Sequence, residues 1–125
     1  MNLKIPIIRS QVQDLQTCCN LMFNKNFEQL NYLQYYNCLN VQHKVNKMVF
    51  KLQGTRTKHF QLTLTPNEGN DLLNLVKMSK DIFELSPYYK AVFLSICERL
   101  HAQIIFLDHY KQTTINPGKS NFFIN

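Results

Sequence analysis

Apolar residues recur along this chain at helical spacing. Ile8, Val12, Leu15, Cys19 and Met22 follow one another at steps of four and three, the signature of one buried helix face. The pattern predicts an amphipathic helix over 10–23, entered through Ser10 and Gln13 at capping-box spacing. Residues 1–9 read as extended, because Pro6 opposes an earlier helix. Asn24-Lys25-Asn26 breaks the first pattern, and Asn26 with Gln29 has the spacing to start a second helix.

The second helix is the longest apolar arc. At about 100° per residue, Phe27, Leu30, Cys38, Val41, Val45, Met48, Val49 and Leu52 fall on one side, and Lys44, Lys47 and Lys51 on another. The pattern runs over 26–53, about 40 Å at helical rise, and Gly54 stands where a C-terminal capping glycine belongs. A rival pattern overlaps it. Met48, Phe50 and Leu52 alternate, as do Phe60, Leu62 and Leu64, so 48–65 also reads as a hairpin. The helix accounts for more of the apolar positions and avoids a long hairpin loop. Either way 59–65 is a short extended segment.

Thr65, Pro66 and Glu68 form the clearest helix start in the chain. Leu72, Leu75, Val76, Ser79, Ile82 and Phe83 continue that helix to 85. Ser86-Pro87 marks a tight corner, since a residue before proline avoids helical angles. The last helix, 87–112, carries a heptad seam of Tyr89, Phe93, Ile96, Leu100, Gln103, Leu107 and Tyr110, polar at one position only. Residues 113–125 form a tail opening with turn chemistry at Asn116-Pro117-Gly118.

The expected fold is therefore mainly α: one domain, 1–125, built as a bundle of about four helices (10–23, 26–53, 66–85 and 87–112) with the extended segment 59–65 between the second and third. The alternative is an α+β fold with the hairpin 48–65. A chain of 125 residues suits one domain. With Ala at two positions and Gly at three, against 14 Asn and 10 Gln, large side chains must interdigitate wherever helices meet. The same usage is that of AT-rich coding sequence, as in some bacteria, phages and mobile elements.

Charge adds a second feature. The net charge is +6, and its excess is concentrated. Between Glu28 and Glu68 no acidic residue occurs, while Lys44, Lys47, Lys51, Arg56 and Lys58 all lie there, with His43 and His59. An uncompensated positive field attracts polyanions. These five basic residues are the candidate site for nucleic acid or an acidic protein surface. Tyr32, Tyr35 and Tyr36 precede the lysines on the same helix and are candidates for stacking on bases.

Surplus apolar residues support a second expectation, a protein-interaction module acting as adaptor, inhibitor or self-assembling homo-oligomer. Leu94, Ile105 and Phe106 lie off the seam of the last helix, as Leu33, Leu39 and Phe50 lie off the arc of the second.

Catalytic chemistry is poorly represented. Cys97 and His101 are one helical turn apart, with Asp108 further along. Asp108 is about 10 Å from His101 at helical rise, too far to orient the imidazole. Cys18, Cys19, Cys38 and Cys97 match no zinc or redox spacing. No glycine-rich phosphate loop is present. The expectation is a non-enzymatic cytoplasmic protein with no cofactor, no metal and no membrane span.

Overall fold

The computed structural model describes residues 2–115, with side chains described to residue 105 except Leu85. The fold is mainly helical with a small antiparallel sheet. β1 (Leu3–Ile8) is followed by a 3-10 turn at Arg9–Gln11 and by α1 (Val12–Asn26). A second 3-10 turn, Phe27–Gln29, leads into α2 (Tyr32–Lys51). β2 (His59–Leu64), α3 (Pro66–Met78), α4 (Lys80–Leu85) and α5 (Pro87–Ile115) complete the chain.

Four expectations are corrected. First, Ser10 makes no cap and α1 begins at Val12 behind the 3-10 turn. Second, the helix expected over 26–53 starts at residue 32. Asn31, not Asn26, forms the capping box: its side chain accepts from the Gln34 N–H at 2.9 Å, and Gln34 accepts from the Asn31 N–H at 3.1 Å. Asn26 instead closes α1 from inside. It is buried and donates to Met22 O and to Ser79 Oγ. Third, 66–85 is two helices. Ser79 leaves helical geometry at φ −110° and ψ 27°, and its hydroxyl donates back to Leu75 O at 2.7 Å. A serine bonding its own preceding turn and a second buried side chain favours such a break. Fourth, Gly54 is not the cap of α2; of the two readings of 48–65 the expected helix forms and the alternative hairpin does not, because residues 48–51 are helical. Gly54 donates to Lys51 O but lies outside the left-handed region. The C-cap of α2 is Leu52.

The extended segments find each other. β1 pairs antiparallel with β2 in the register Leu3↔Leu64 to Ile8↔His59. Leu3, Ile5, Ile7, Leu62 and Leu64 point into the core, while Lys4, Pro6 and Gln61 point out, the period of two that a half-buried sheet requires. The outer edge of β1 is closed by a side chain. Gln103 of α5 accepts from the Lys4 N–H at 2.9 Å and donates to Lys4 O at 2.8 Å, completing both main-chain bonds that another strand would make. Because Lys4 turns its main chain away from β2, Pro6 does so too, and its missing N–H removes no ladder bond.

Phe93, Ile96 and Leu100 carry the predicted seam of α5 into the core. Gly69 admits the strand. A Cβ there would meet Leu3 and Leu100 side chains, so α3, β1 and α5 come together at one small residue in a chain that has few. Polar ties complete the bundle. Lys25 pairs with Asp81, joining α1 to α4. Tyr88 donates to Asp14 at 2.8 Å, joining α5 to α1.

Candidate nucleic-acid interface

The five basic residues of the window divide in two. Lys44 faces inward. Its Nζ donates to Glu68 Oε1 at 2.6 Å and to Thr63 O at 2.9 Å. Glu68 is buried, and the same Oε1 accepts the Thr65 N–H at 3.0 Å. One carboxylate thus caps α3 and holds a lysine of α2, while that lysine seals the edge of β2. The counter-charge for Lys44 comes from just past the end of the acid-free window, brought back by the fold.

Lys47, Lys51, Arg56 and Lys58 remain exposed. Among the described residues none of them is in an ion pair. Lys47 and Lys51 occupy the last turns of α2, and Arg56 and Lys58 the loop that follows. One residue that the sequence reading did not single out holds this loop. The Arg9 guanidinium donates to Leu52 O, to Thr55 O at 2.8 Å and to Thr57 O at 3.1 Å. The Arg9 N–H also donates to Lys58 O at 2.8 Å. A cation on the exposed carbonyls at a helix C-terminus satisfies groups the helix cannot. Arg9 is far away in sequence, and a lone arginine after a strand carries no local signal of this role.

Two open grooves flank the loop. One, of about 760 Å³, has Ile8, Arg9, Leu52, Lys58 and His59 on its walls. The other, of about 680 Å³, lies between the end of α2 and β2, and is lined by Met48, Phe50, Lys51, Thr57, His59 and Gln61 among others. Among the described residues neither is lined by a carboxylate.

The tyrosines also divide. Tyr35 is half-buried, its ring 5.3 Å from that of Phe23. Tyr32 and Tyr36 are exposed, with ring centroids 5.9 Å apart. They begin a stripe on the outer face of α2 that continues through Asn40, His43 and Lys47 to Phe50 and Lys51, all exposed. Phe50 is 79% exposed. The alternation of apolar and cationic residues along α2 contained this signal, because a phenylalanine opposite the buried arc has no core to enter.

Elsewhere the chemistry is quiet. Burial pushes the Cys97 thiol up to about 11, which disfavours the thiolate a nucleophile needs. His101 is exposed, and the Asp108 side chain lies outside the described residues. Burial also raises Cys18 to about 12 and Cys38 to about 11, and moves Cys19 in the same direction. All four cysteines are free. Among the described residues no group of three His, Cys, Asp or Glu could hold a metal ion. No described helix is long and apolar enough to cross a membrane. Of the expected protein-interface residues, Leu94 and Ile105 are exposed on α5, while the Phe106 side chain and the segment 116–125 lie outside the described residues.

Comparison with known protein families, with characterised proteins and with solved structures returns no match for this chain.

Proposed function

We propose that the protein is a non-catalytic module that binds the nucleic-acid backbone with low sequence specificity. The observation that carries this reading is the exposed end of α2 and its loop: Lys47, Lys51, Arg56 and Lys58 without carboxylate partners among the described residues, beside exposed Phe50. Lys44 has no part in it, because its charge is already paired. Cations that meet phosphates release counterions, so affinity falls steeply with salt. Four contacts to a single strand give a log–log slope of roughly −3. The test is an anisotropy titration of a labelled oligonucleotide at several salt concentrations, with the wild type and with Lys47→Glu/Lys51→Glu. A slope near zero, or full affinity in the charge-reversed protein, overturns the reading.

A second reading has its own support. Leu94 and Ile105 are 54% and 55% exposed, and Leu94 borders an apolar cleft of about 360 Å³ with Val76, Phe83 and Phe93. Apolar surface of this kind suits a protein partner or a second copy of the chain. Light scattering across a concentration series tests the homo-oligomer, and a Leu94→Glu variant that leaves an observed oligomer intact removes this face from it.

A further inference from the structure

The groove between the end of α2 and β2 has a composition that phosphate contact alone does not use. Its floor is Met48 and Phe60, and Phe50 stands at its rim. Around these lie Lys51, Thr55, Thr57, His59 and Gln61. The sheet supplies further polar groups. Lys4 and Thr63 face each other in the register and both turn their main chains outward, Lys4 to Gln103 and Thr63 to Lys44. The same alternation turns the main-chain N–H and C=O of Gln61 and His59 outward on the edge that faces α2. Fixed donors and acceptors thus lie beside an apolar ring, in a cleft lined by Lys51 and, among the described residues, by no carboxylate.

Resting on the nucleic-acid reading above, we propose that this groove takes one unpaired nucleobase, stacked on Phe50, and that the protein's ligand is single-stranded nucleic acid. A base has two apolar faces and an edge of donors and acceptors, the two kinds of surface the groove offers. Stacking on an aromatic ring tolerates any base, in keeping with low sequence specificity. Lys47 and Lys51, one helical turn apart, lie beside Phe50 on the exposed part of α2 and meet phosphates next to the stacked base. A duplex presents phosphates and base edges but keeps its base faces against one another, so it leaves the Phe50 ring unused. Tyr32 and Tyr36 lie on the same exposed line, about 20–27 Å further along α2, and provide a second platform for the same strand.

The experiment compares three fluorescein-labelled ligands of about 15 nucleotides: oligothymidine, an oligomer of abasic sites with the same phosphates, and a duplex. Each is titrated at low salt with the wild type, Phe50→Ala and Phe50→Tyr. Phe50 is exposed, so neither variant disturbs the core, and thermal melting confirms that each is folded. Oligothymidine should bind at least about tenfold more tightly than the other two ligands. Phe50→Ala should weaken oligothymidine by about 5- to 150-fold and leave the abasic oligomer unchanged, with Phe50→Tyr restoring affinity. Equal binding of all three ligands, or a Phe50→Ala loss shared by the abasic oligomer, overturns the nucleobase site and leaves the backbone reading standing. Failure of every oligomer to bind overturns both. Displacement by an extended acidic peptide, with no preference for bases, assigns the groove to a peptide strand on the β2 edge and likewise overturns the proposal.

Discussion

Replacing Lys44 with methionine should destabilise the protein far more than the same change at Lys47. Methionine keeps most of the stem but removes the ammonium, and with it the bonds to Glu68 and to Thr63 O. The Glu68 side chain is 6% exposed and that of Lys44 35%. Breaking a fully buried pair costs about 3–5 kcal/mol, whereas an exposed pair contributes at most about 1 kcal/mol. Lys44 lies between these cases. Glu68 keeps the Thr65 N–H and the N-terminus of α3 for partial compensation, which sets the expected loss at about 2–3 kcal/mol. For a domain of this size that lowers the melting temperature by roughly 6–15 °C. Lys47→Met should change stability by less than about 0.5 kcal/mol. Urea denaturation followed by far-UV circular dichroism measures each. The double variant Lys44→Met/Glu68→Gln removes the stranded carboxylate and should recover about half the loss or more. A Lys44→Met variant as stable as Lys47→Met would refute the structural role given to the Lys44–Glu68 pair.

Three other outcomes follow from the packing. Arg9→Ala removes the donor shared by Leu52, Thr55 and Thr57 carbonyls, and should cost about 1–3 kcal/mol and speed amide exchange in residues 52–58; unchanged exchange there counts against the staple. Gly69→Ala gains about 1 kcal/mol of helix propensity but drives a methyl into Leu3 and Leu100, for a net loss of about 1–2 kcal/mol, and a stabilised variant would show the contact to be loose. The buried thiols make stability fall in alkali. Burial holds Cys18 at about 12 and Cys38 and Cys97 at about 11, against an ordinary value of 9.0. The native state therefore keeps protons that the unfolded chain loses. This contribution is complete below about pH 9 and disappears as the pH rises toward the folded values, at up to about 1.4 kcal/mol per unit for the buried Cys18 and Cys38 and less for the partly exposed Cys97. Urea midpoints between about pH 8 and 10.5 should fall, and fall less in Cys97→Ala; identical slopes would contradict the reading.

Much of the fold was legible in local pattern. Thr65-Pro66 and Glu68 mark the start of α3, and Ser86-Pro87 marks the corner before α5, because caps and prolines act on their immediate neighbours. The seam of α5 was legible because burial repeats with the helix. What escaped depends on contacts distant in sequence. Asn26 had the chemistry of a cap, but Ser79 drew it into the core. The β1–β2 pair joins segments with two helices between them, and periodicity cannot choose a strand's partner. The candidate site was half legible for the same reason. Its cations and tyrosines were visible in the chain, but the pairing of Lys44 with Glu68, the inward turn of Tyr35 and the staple from Arg9 belong to the folded state.

The partner of β1 also sets an order of events during synthesis. β1 ends at Ile8 and β2 begins at His59, so roughly fifty residues must be added, over about 3–10 s, before the pair can close. In that interval Leu3, Ile5 and Ile7, which finish at no more than 1% exposed, have no strand to cover them. Gln103, which occupies the other edge of β1, is made later still. The newborn chain therefore carries an apolar, unpaired strand while those roughly fifty residues are added. Slower translation, or a change that delays β2, should promote aggregation of nascent chains without altering the stability of the finished protein.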